Sequence, residues 1–417
     1  MAPRTWAETG LVDHFRRLHD YMADRKFCFV LGAGASYRSG IPVGGQFVSR
    51  WLRELWGQEG HGQSFEDWAT ADNLQIPGFT VADAASFYPQ VFVRRFGGDP
   101  QEGYAWLEGQ MGQARPSFGY FVLARILTQT RHNIVITTNF DNLVAEALAM
   151  SGGGHPLVVG HESLAGFVSS SPRRAVIAKI HRDLLLAPVN DPHGTSHLPD
   201  DWATALRRIL GAYTPLFIGY GGNDGSLMGF LDSLPPRHIP GQPVWCYWYR
   251  YAPAPHIVAL MEKHNGVLVP IRDFDELMMR LNDSLGFGLP IEPVTKRANE
   301  MIDRCRVETE AVLRRLQESA GEAPEARPAA EPTESSASLL AARGSIERTD
   351  EPWAVVLRAR MTLDPERRRA VFNDGMRRFP GNAPLRAEYA RFLADALREV
   401  PAAEALLREA LPEPLAN

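Results

Sequence analysis

Six short apolar runs constrain this chain more than any other feature: FCFVLG, NIVITTN, AVIAKIH, PLFIGYG, VWCYWY and GVLVPI. None of them alternates apolar with polar residues, so each suits a strand covered on both faces rather than one with a wet side. Each gives way to Gly, Asn, His or another polar residue, and segments of helical pattern separate them. Apolar strands alternating with helices predict an α/β fold, a doubly wound parallel sheet with helices on both faces.

The spacing between the runs sets the domain plan. A first helix is expected over 9–25, where Leu11, Val12, Phe15, Leu18 and Met22 share one face. The aromatic-rich segment 58–130 is too long for a simple crossover and predicts a mostly helical insertion lobe over the sheet. The stretch APVNDPHGTSHLPDDW after the third run has the composition of a loop or lid. The sheet domain is expected to fill residues 1–290, followed by a connecting helix over 291–318. Residues 319–350 are rich in Ala, Glu, Pro and Ser and hold no aromatic, as in a flexible linker. A small all-α region is expected over 351–417. Its Tyr389, Ala390, Phe392, Ala405 and Leu406, with FPGNAP at the joint, resemble one to two tetratricopeptide repeats; a generic helical hairpin is the other reading. Such repeats need about three copies to stand alone, so the resemblance implies a tail that docks on something.

A net charge of −5, 22% charged residues and 45% hydrophobic residues are those of an ordinary globular protein, and they speak against direct nucleic-acid or membrane-surface binding. Only four of the 44 basic residues are Lys. The Arg excess suits phosphate contacts, but a GC-rich genome is the plainer explanation. Of the three cysteines, Cys28 and Cys246 lie in apolar runs as small core residues, and Cys305 lies in a charged segment. No C-x-x-C pair is present, which excludes a four-cysteine zinc site and argues against a disulfide framework. The N-terminus has no apolar h-region, and no window reaches the roughly 18 apolar residues of a membrane span. A soluble cytoplasmic protein is expected.

In open α/β sheets, ligands bind beyond the carboxyl ends of the strands, near the point where strand order reverses. The first run delivers Gly32-Ala33-Gly34-Ala35-Ser36 to that edge, and the second delivers Thr137-Thr138-Asn139-Phe140-Asp141. The third gives Lys179-Ile180-His181-Arg182-Asp183, and the fourth Gly219-Tyr220-Gly221-Gly222-Asn223-Asp224. Gly32 and Gly34 begin like the dinucleotide fingerprint G-x-G-x-x-G, but Tyr37 stands where its third glycine belongs. Each piece alone has a plainer reading: a tight turn, a helix N-cap at Asn139 or Asp141, a structural histidine. Four of them on one edge point to a nucleotide site.

As a set, over residues 9–288 and in order, these motifs resemble the sirtuins. GAGAS with GIP at Gly40 to Pro42 is similar to their opening motif, TTNFD to their T-Q-N-x-D, and KIH to the segment ending in their catalytic His. GYGGND resembles the Gly-rich strand end of the sirtuin-like branch in bacterial anti-phage defence proteins, and PIRDFDELMMRLN the close of that domain. The resemblance implies a Rossmann-like fold that takes NAD as substrate and no metal. By it, Asn139 orients the ribose and attacking water, Asp141 holds the nicotinamide carboxamide, and His181 is the general base. Gly32, Ala33 and Gly34 hold the pyrophosphate with Ser36 as an added donor, and Pro42 and Thr138 line the same site. Gly219 and Asp224 line the adenosine half, with a purely structural role as the alternative.

Two departures matter. The zinc module of sirtuin deacylases is missing, and Arg182 follows the His where the family has Gly. A bulky cation there is expected to reshape the nicotinamide side or meet a phosphate, and it counts against an acyl-peptide tunnel. The implied activity is NAD+ glycohydrolysis to nicotinamide and ADP-ribose by an effector of anti-phage defence. Its control would come through homo-oligomer assembly or a partner such as an ATPase, an Argonaute-type sensor or a phage protein. The alternatives are a non-catalytic NAD or ADP-ribose sensor, a deacylase or ADP-ribosyltransferase, and, on Arg content alone, a nucleic-acid-binding subunit.

Overall fold

The computed structural model describes residues 3–321, 352–362 and 364–408. The chain divides into two compact units, Met1–Ile302 and Asp303–Asn417. The first is built on one parallel sheet of eight strands: β1 (Arg4–Thr5), β2 (Phe27–Leu31), β3 (Ile134–Thr137), β4 (Leu157–Val159), β5 (Val176–Lys179), β6 (Thr214–Ile218), β7 (Val244–Trp248) and β8 (Val267–Ile271). Their order across the sheet is β1-β8-β7-β6-β2-β3-β5-β4. This is the doubly wound, Rossmann-like α/β architecture expected. The six apolar runs are β2, β3 and β5 to β8. The two strands without such a run, β1 and β4, form the sheet's edges.

The absence of alternation in the central strands has its cause in the two cores. Phe27, Phe29 and Leu31 of β2 enter one apolar layer, with Leu11, Phe15 and the helices Phe118–Gln129 and Phe274–Ser284. Cys28 and Val30 enter the other, with Trp202, Leu206 and Leu227. Every residue of β2, β3, β5 and β6 is buried. A large apolar side chain so covered contributes about 1.5–3 kcal/mol, so both faces must be apolar.

Segment 58–130 holds the helices Tyr88–Phe96, Pro100–Met111 and Phe118–Gln129, with shorter helical turns. Its aromatic cluster packs around Trp51, with the rings of Phe92, Phe96 and Trp106 at 5.5, 5.6 and 5.4 Å. That cluster is continuous with the first apolar layer of the sheet, and its final helix, Phe118–Gln129, covers the sheet itself. The first helix, Glu8–Tyr21, stops short of residue 25. Arg131 ends it, with Nη2 donating to the carbonyls of Leu18, His19 and Met22.

In the second unit, helices Pro352–Met361, Pro365–Arg378, Ala383–Asp395 and Val400–Arg408 follow one another. Phe372 stacks on Tyr389 at 5.0 Å, and Ala403, rather than the exposed Ala405, closes the small core. Helix Ile291–Gly321 falls across the division between the units. From residue 322 on, the expected linker lies outside the described residues. Among the described residues no helix is long and apolar enough to cross a membrane.

At the N-terminal end of β2, His132 is fully buried. Its Nδ1 accepts from the Phe27 amide at 3.0 Å, and its Nε2 lies 3.2 Å from His19 Nδ1. Burial, with the charges of Arg131 and His19, holds its pKa down at about 3, against 6.5 ordinarily. In that window the unfolded chain binds a proton that the folded protein refuses, so stability falls as pH drops. The slope approaches about 1.4 kcal/mol per pH unit. Burial also lowers His14, His19 and His264, which add the same sign. Urea midpoints should therefore decline as pH falls below 6.5, and His132→Phe should flatten part of that decline.

Candidate functional site

Register brings the strand ends to one level. Leu31 pairs with both Thr137 and Ile218, and Thr137 pairs with Lys179. The chain segments leaving β6, β2, β3 and β5 therefore start from a single row across the sheet. Strand order reverses between β2 and β6, because β3 lies on one side of β2 and β6 on the other. There the two glycine turns meet: Gly34 N donates to Gly219 O at 2.9 Å, and Gly32 N to Ile218 O at 3.1 Å. Only glycine allows that approach. Gly219 has φ +65°, and a Cβ on it would lie 2.2 Å from Ala35 N.

A cleft of about 440 Å³ opens above this row. Ten of the eleven residues singled out from the sequence line it: Ala33, Gly34, Ser36, Pro42, Thr138, Asn139, Asp141, His181, Gly219 and Asp224. Gly32 does not, but its carbonyl accepts from Asn139 Nδ2 at 3.1 Å. The opposite wall is apolar, with Ile41, Val43, Phe47, Tyr88 and Met111. Tyr88 OH donates to Asn190 Oδ1 at 3.1 Å, joining the helical insertion to the loop that follows His181.

Ser36 is the hub of the β2–β3 side and is almost completely buried. Its hydroxyl donates to Asp141 Oδ2 at 2.7 Å, accepts from Asn139 Nδ2 at 3.0 Å and lies 2.9 Å from Tyr120 OH. With its one proton on Asp141, Ser36 positions its neighbours and has none left for a pyrophosphate. The amides of Gly34 and Ala35 are likewise used inside the fold, on Gly219 O and Gly32 O. What the turn offers a ligand is close approach of backbone. Burial raises the Asp141 carboxyl, outweighing the hydrogen bonds from Ser36 and Leu143 and the charge of Lys179.

Lys179 is fully buried at the end of β5. Its Nζ donates to Phe140 O, Asn142 Oδ1 and Asp183 Oδ2 at 2.9, 2.7 and 2.6 Å, which pins the loop carrying Asn139 and Asp141. His181, two residues on, places Nε2 2.8 Å from Ser226 Oγ. Asp224 caps helix Gly225–Ser233. Its Oδ1 accepts from Leu227 N and Ser226 Oγ at 2.9 and 2.8 Å, and its Oδ2 from Tyr220 OH. Burial works to raise this carboxyl, yet His181, Tyr220 and the Leu227 amide together hold it at about 2.

Arg182 does not line the cleft. Its φ of +67° explains why glycine suits the position, and its side chain turns away from the site expected for it. Nε and Nη2 grip Glu162 at 2.9 and 2.5 Å, and Nη1 reaches Ala187 O at 3.2 Å. Sequence reasoning missed Tyr120, Lys179 and Ser226 as parts of the site. Lys179 and Ser226 stood within or beside the quoted motifs, whereas nothing marked Tyr120. Among the described residues no three His, Cys, Asp or Glu side chains converge as a metal would need.

Comparison with known proteins adds to this geometry. Residues 133–265 match the family model described as the SIR2-like domain. No curated protein matches the sequence. Among solved structures, a variant of a Sir2 homologue complexed with ADP-ribose is similar over 66% of this chain and 99% of that one, at 15% identity and a TM-score of 0.31. A Sir2 homolog–NAD complex is similar over 66% and 94%, at 15% identity and a TM-score of 0.30. The family match starts at the residue before β3 and ends shortly before β8, so it contains Asn139, Asp141, His181 and the Gly219–Asp224 turn. With these residues at the strand ends of a Rossmann-like sheet, the segment 133–265 is similar to the SIR2-like domain.

Proposed function

We propose that the cleft binds NAD and hydrolyses its nicotinamide–ribose bond, releasing nicotinamide and ADP-ribose. The observation that carries this reading is the convergence of Asn139, Asp141 and His181 on one cleft floored by two glycine turns. On this reading the dinucleotide's pyrophosphate lies against the backbone of Ala33 and Gly34, and its adenosine half beside Gly219 and Asp224, all of which line the cleft.

Nicotinamide leaves as a neutral molecule, taking the electron pair of the C–N bond onto its cationic ring nitrogen, so its departure needs no general acid. The site must hold the bond away from bulk water, stabilise an oxocarbenium-like centre and deliver a nucleophile. Asn139 orients the ribose and one water, Asp141 accepts from the carboxamide N–H, and His181 takes the proton as the water oxygen bonds to the ribose carbon. The proton then passes to solvent.

An enzyme that consumed NAD without restraint would starve its own cell. The proposal therefore extends to a cytoplasmic effector of anti-phage defence, silent until it assembles as a homo-oligomer or meets a protein partner through its tetratricopeptide-like C-terminal helices. Nicotinamide release from NAD by the full chain, alone and with lysate of phage-infected cells, tests the reading. Asn139→Ala should lower the rate about 10²-fold or more, because Oδ1 no longer orients the water and the amide no longer ties Gly32 O to Ser36 Oγ. Wild-type protein that binds NAD and never cleaves it would make the domain a sensor instead.

A further inference from the structure

We infer that Ser226 and Asp224 fix the tautomer and orientation of His181, so that Nδ1 rather than Nε2 is the ring nitrogen offered to the substrate. This rests on the reading of His181 as the base and adds two positioning residues to it.

The hydrogen bonds leave little freedom. An ionised carboxylate only accepts, and Asp224 receives three donors: Leu227 N and Ser226 Oγ on Oδ1, and Tyr220 OH on Oδ2. Ser226 has a single hydroxyl proton, and Asp224 Oδ1 lies 2.8 Å away. Turning that proton toward His181 would leave two oxygen lone pairs, one of them on a charged group, facing each other at that separation. The proton therefore stays on the side of Asp224. Ser226 Oγ then has only lone pairs for His181 Nε2 at 2.8 Å, so Nε2 must carry a hydrogen and donate it.

A neutral imidazole with hydrogen on Nε2 has its free lone pair on Nδ1. Among the described residues nothing hydrogen-bonds that nitrogen, and His181 lines the cleft. The arrangement differs from a hydrolase triad, in which the acid bonds the nitrogen opposite the serine. Here Asp224 Oδ1 lies 3.7 Å from the same Nε2 that meets Ser226. Ser226 is therefore no activated nucleophile but a fixed acceptor that orients the ring.

The test is a long-range 1H–15N correlation spectrum of the histidine-labelled full chain at about pH 8, where an ordinary imidazole is neutral. The His181 signals are identified by their loss in His181→Asn. In wild type, Nε2 should appear protonated and Nδ1 bare. Ser226→Ala should relax this to a tautomer mixture and lower kcat for NAD roughly 10- to 100-fold, with KM within about twofold. Ser226→Thr, which keeps the hydroxyl, should retain the wild-type tautomer. A wild-type ring protonated on Nδ1, or a Ser226→Ala ring with an unchanged tautomer, overturns the inference. If wild type cleaves no NAD, the hydrolase reading fails, while the spectrum still decides the tautomer.

Discussion

His181→Ala is expected to slow nicotinamide release from NAD by about 10²–10⁴-fold, the usual contribution of a positioned general base. The effect should fall on kcat. The imidazole makes one hydrogen bond, to Ser226 Oγ, with Asp224 Oδ1 farther off at 3.7 Å, and Asp224 keeps all three of its donors without it. The structural loss is then one hydrogen bond, about 1 kcal/mol, which a urea titration separates from the catalytic loss. Initial rates across NAD concentrations decide the matter. Activity equal to wild type would remove His181 from the chemistry, even if the protein proved to be a hydrolase.

Gly219→Ala is expected to do more damage, and to stability as well as binding. The added Cβ would sit 2.2 Å from Ala35 N and 2.6 Å from Gly34 C, both backbone atoms that no rotamer change can move. The left-handed φ of +65° costs about 1–3 kcal/mol for a non-glycine residue, and overpacking adds about 1–3 kcal/mol. A loss of about 3 kcal/mol or more should follow, with the two turns forced apart and NAD affinity falling with them. The matched control is Gly221→Ala, whose Cβ would meet only the Asn223 side-chain amide, at 3.3 Å. Denaturant midpoints of the pair give the answer on stability, and NAD titration of Gly219→Ala against wild type gives the answer on binding. Equal stability of the two variants would mean that the turns give way more easily than their contacts suggest.

How much of this was legible in the sequence depends on the range of the interactions concerned. The six central strands were, because burial on both faces writes a run of apolar residues into each. The edge strands were not: β4 is three residues long with Val158 exposed, and β1 has only two, so neither needs a run. At the site, residues at strand ends could be placed on a common edge because parallel strands finish at one side of a sheet. Their partners could not. Ser36 meets Tyr120 and Asp141 across 84 and 105 positions, and His181 meets Ser226 across 45. Arg182 shows the same limit. Its neighbour in sequence is His181, but its side chain follows Glu162, twenty positions upstream, and leaves the cleft.

Lys179 has a consequence for chemical labelling. The chain has four lysines, Lys26, Lys179, Lys263 and Lys296, and only Lys179 is sealed inside the protein. Its amine is held by Phe140, Asn142 and Asp183. Acylating reagents thus reach the other three while the folded state persists. Modification at Lys179 records how often the loop bearing Asn139 and Asp141 comes loose, making this one amine an internal clock for the opening of the cleft.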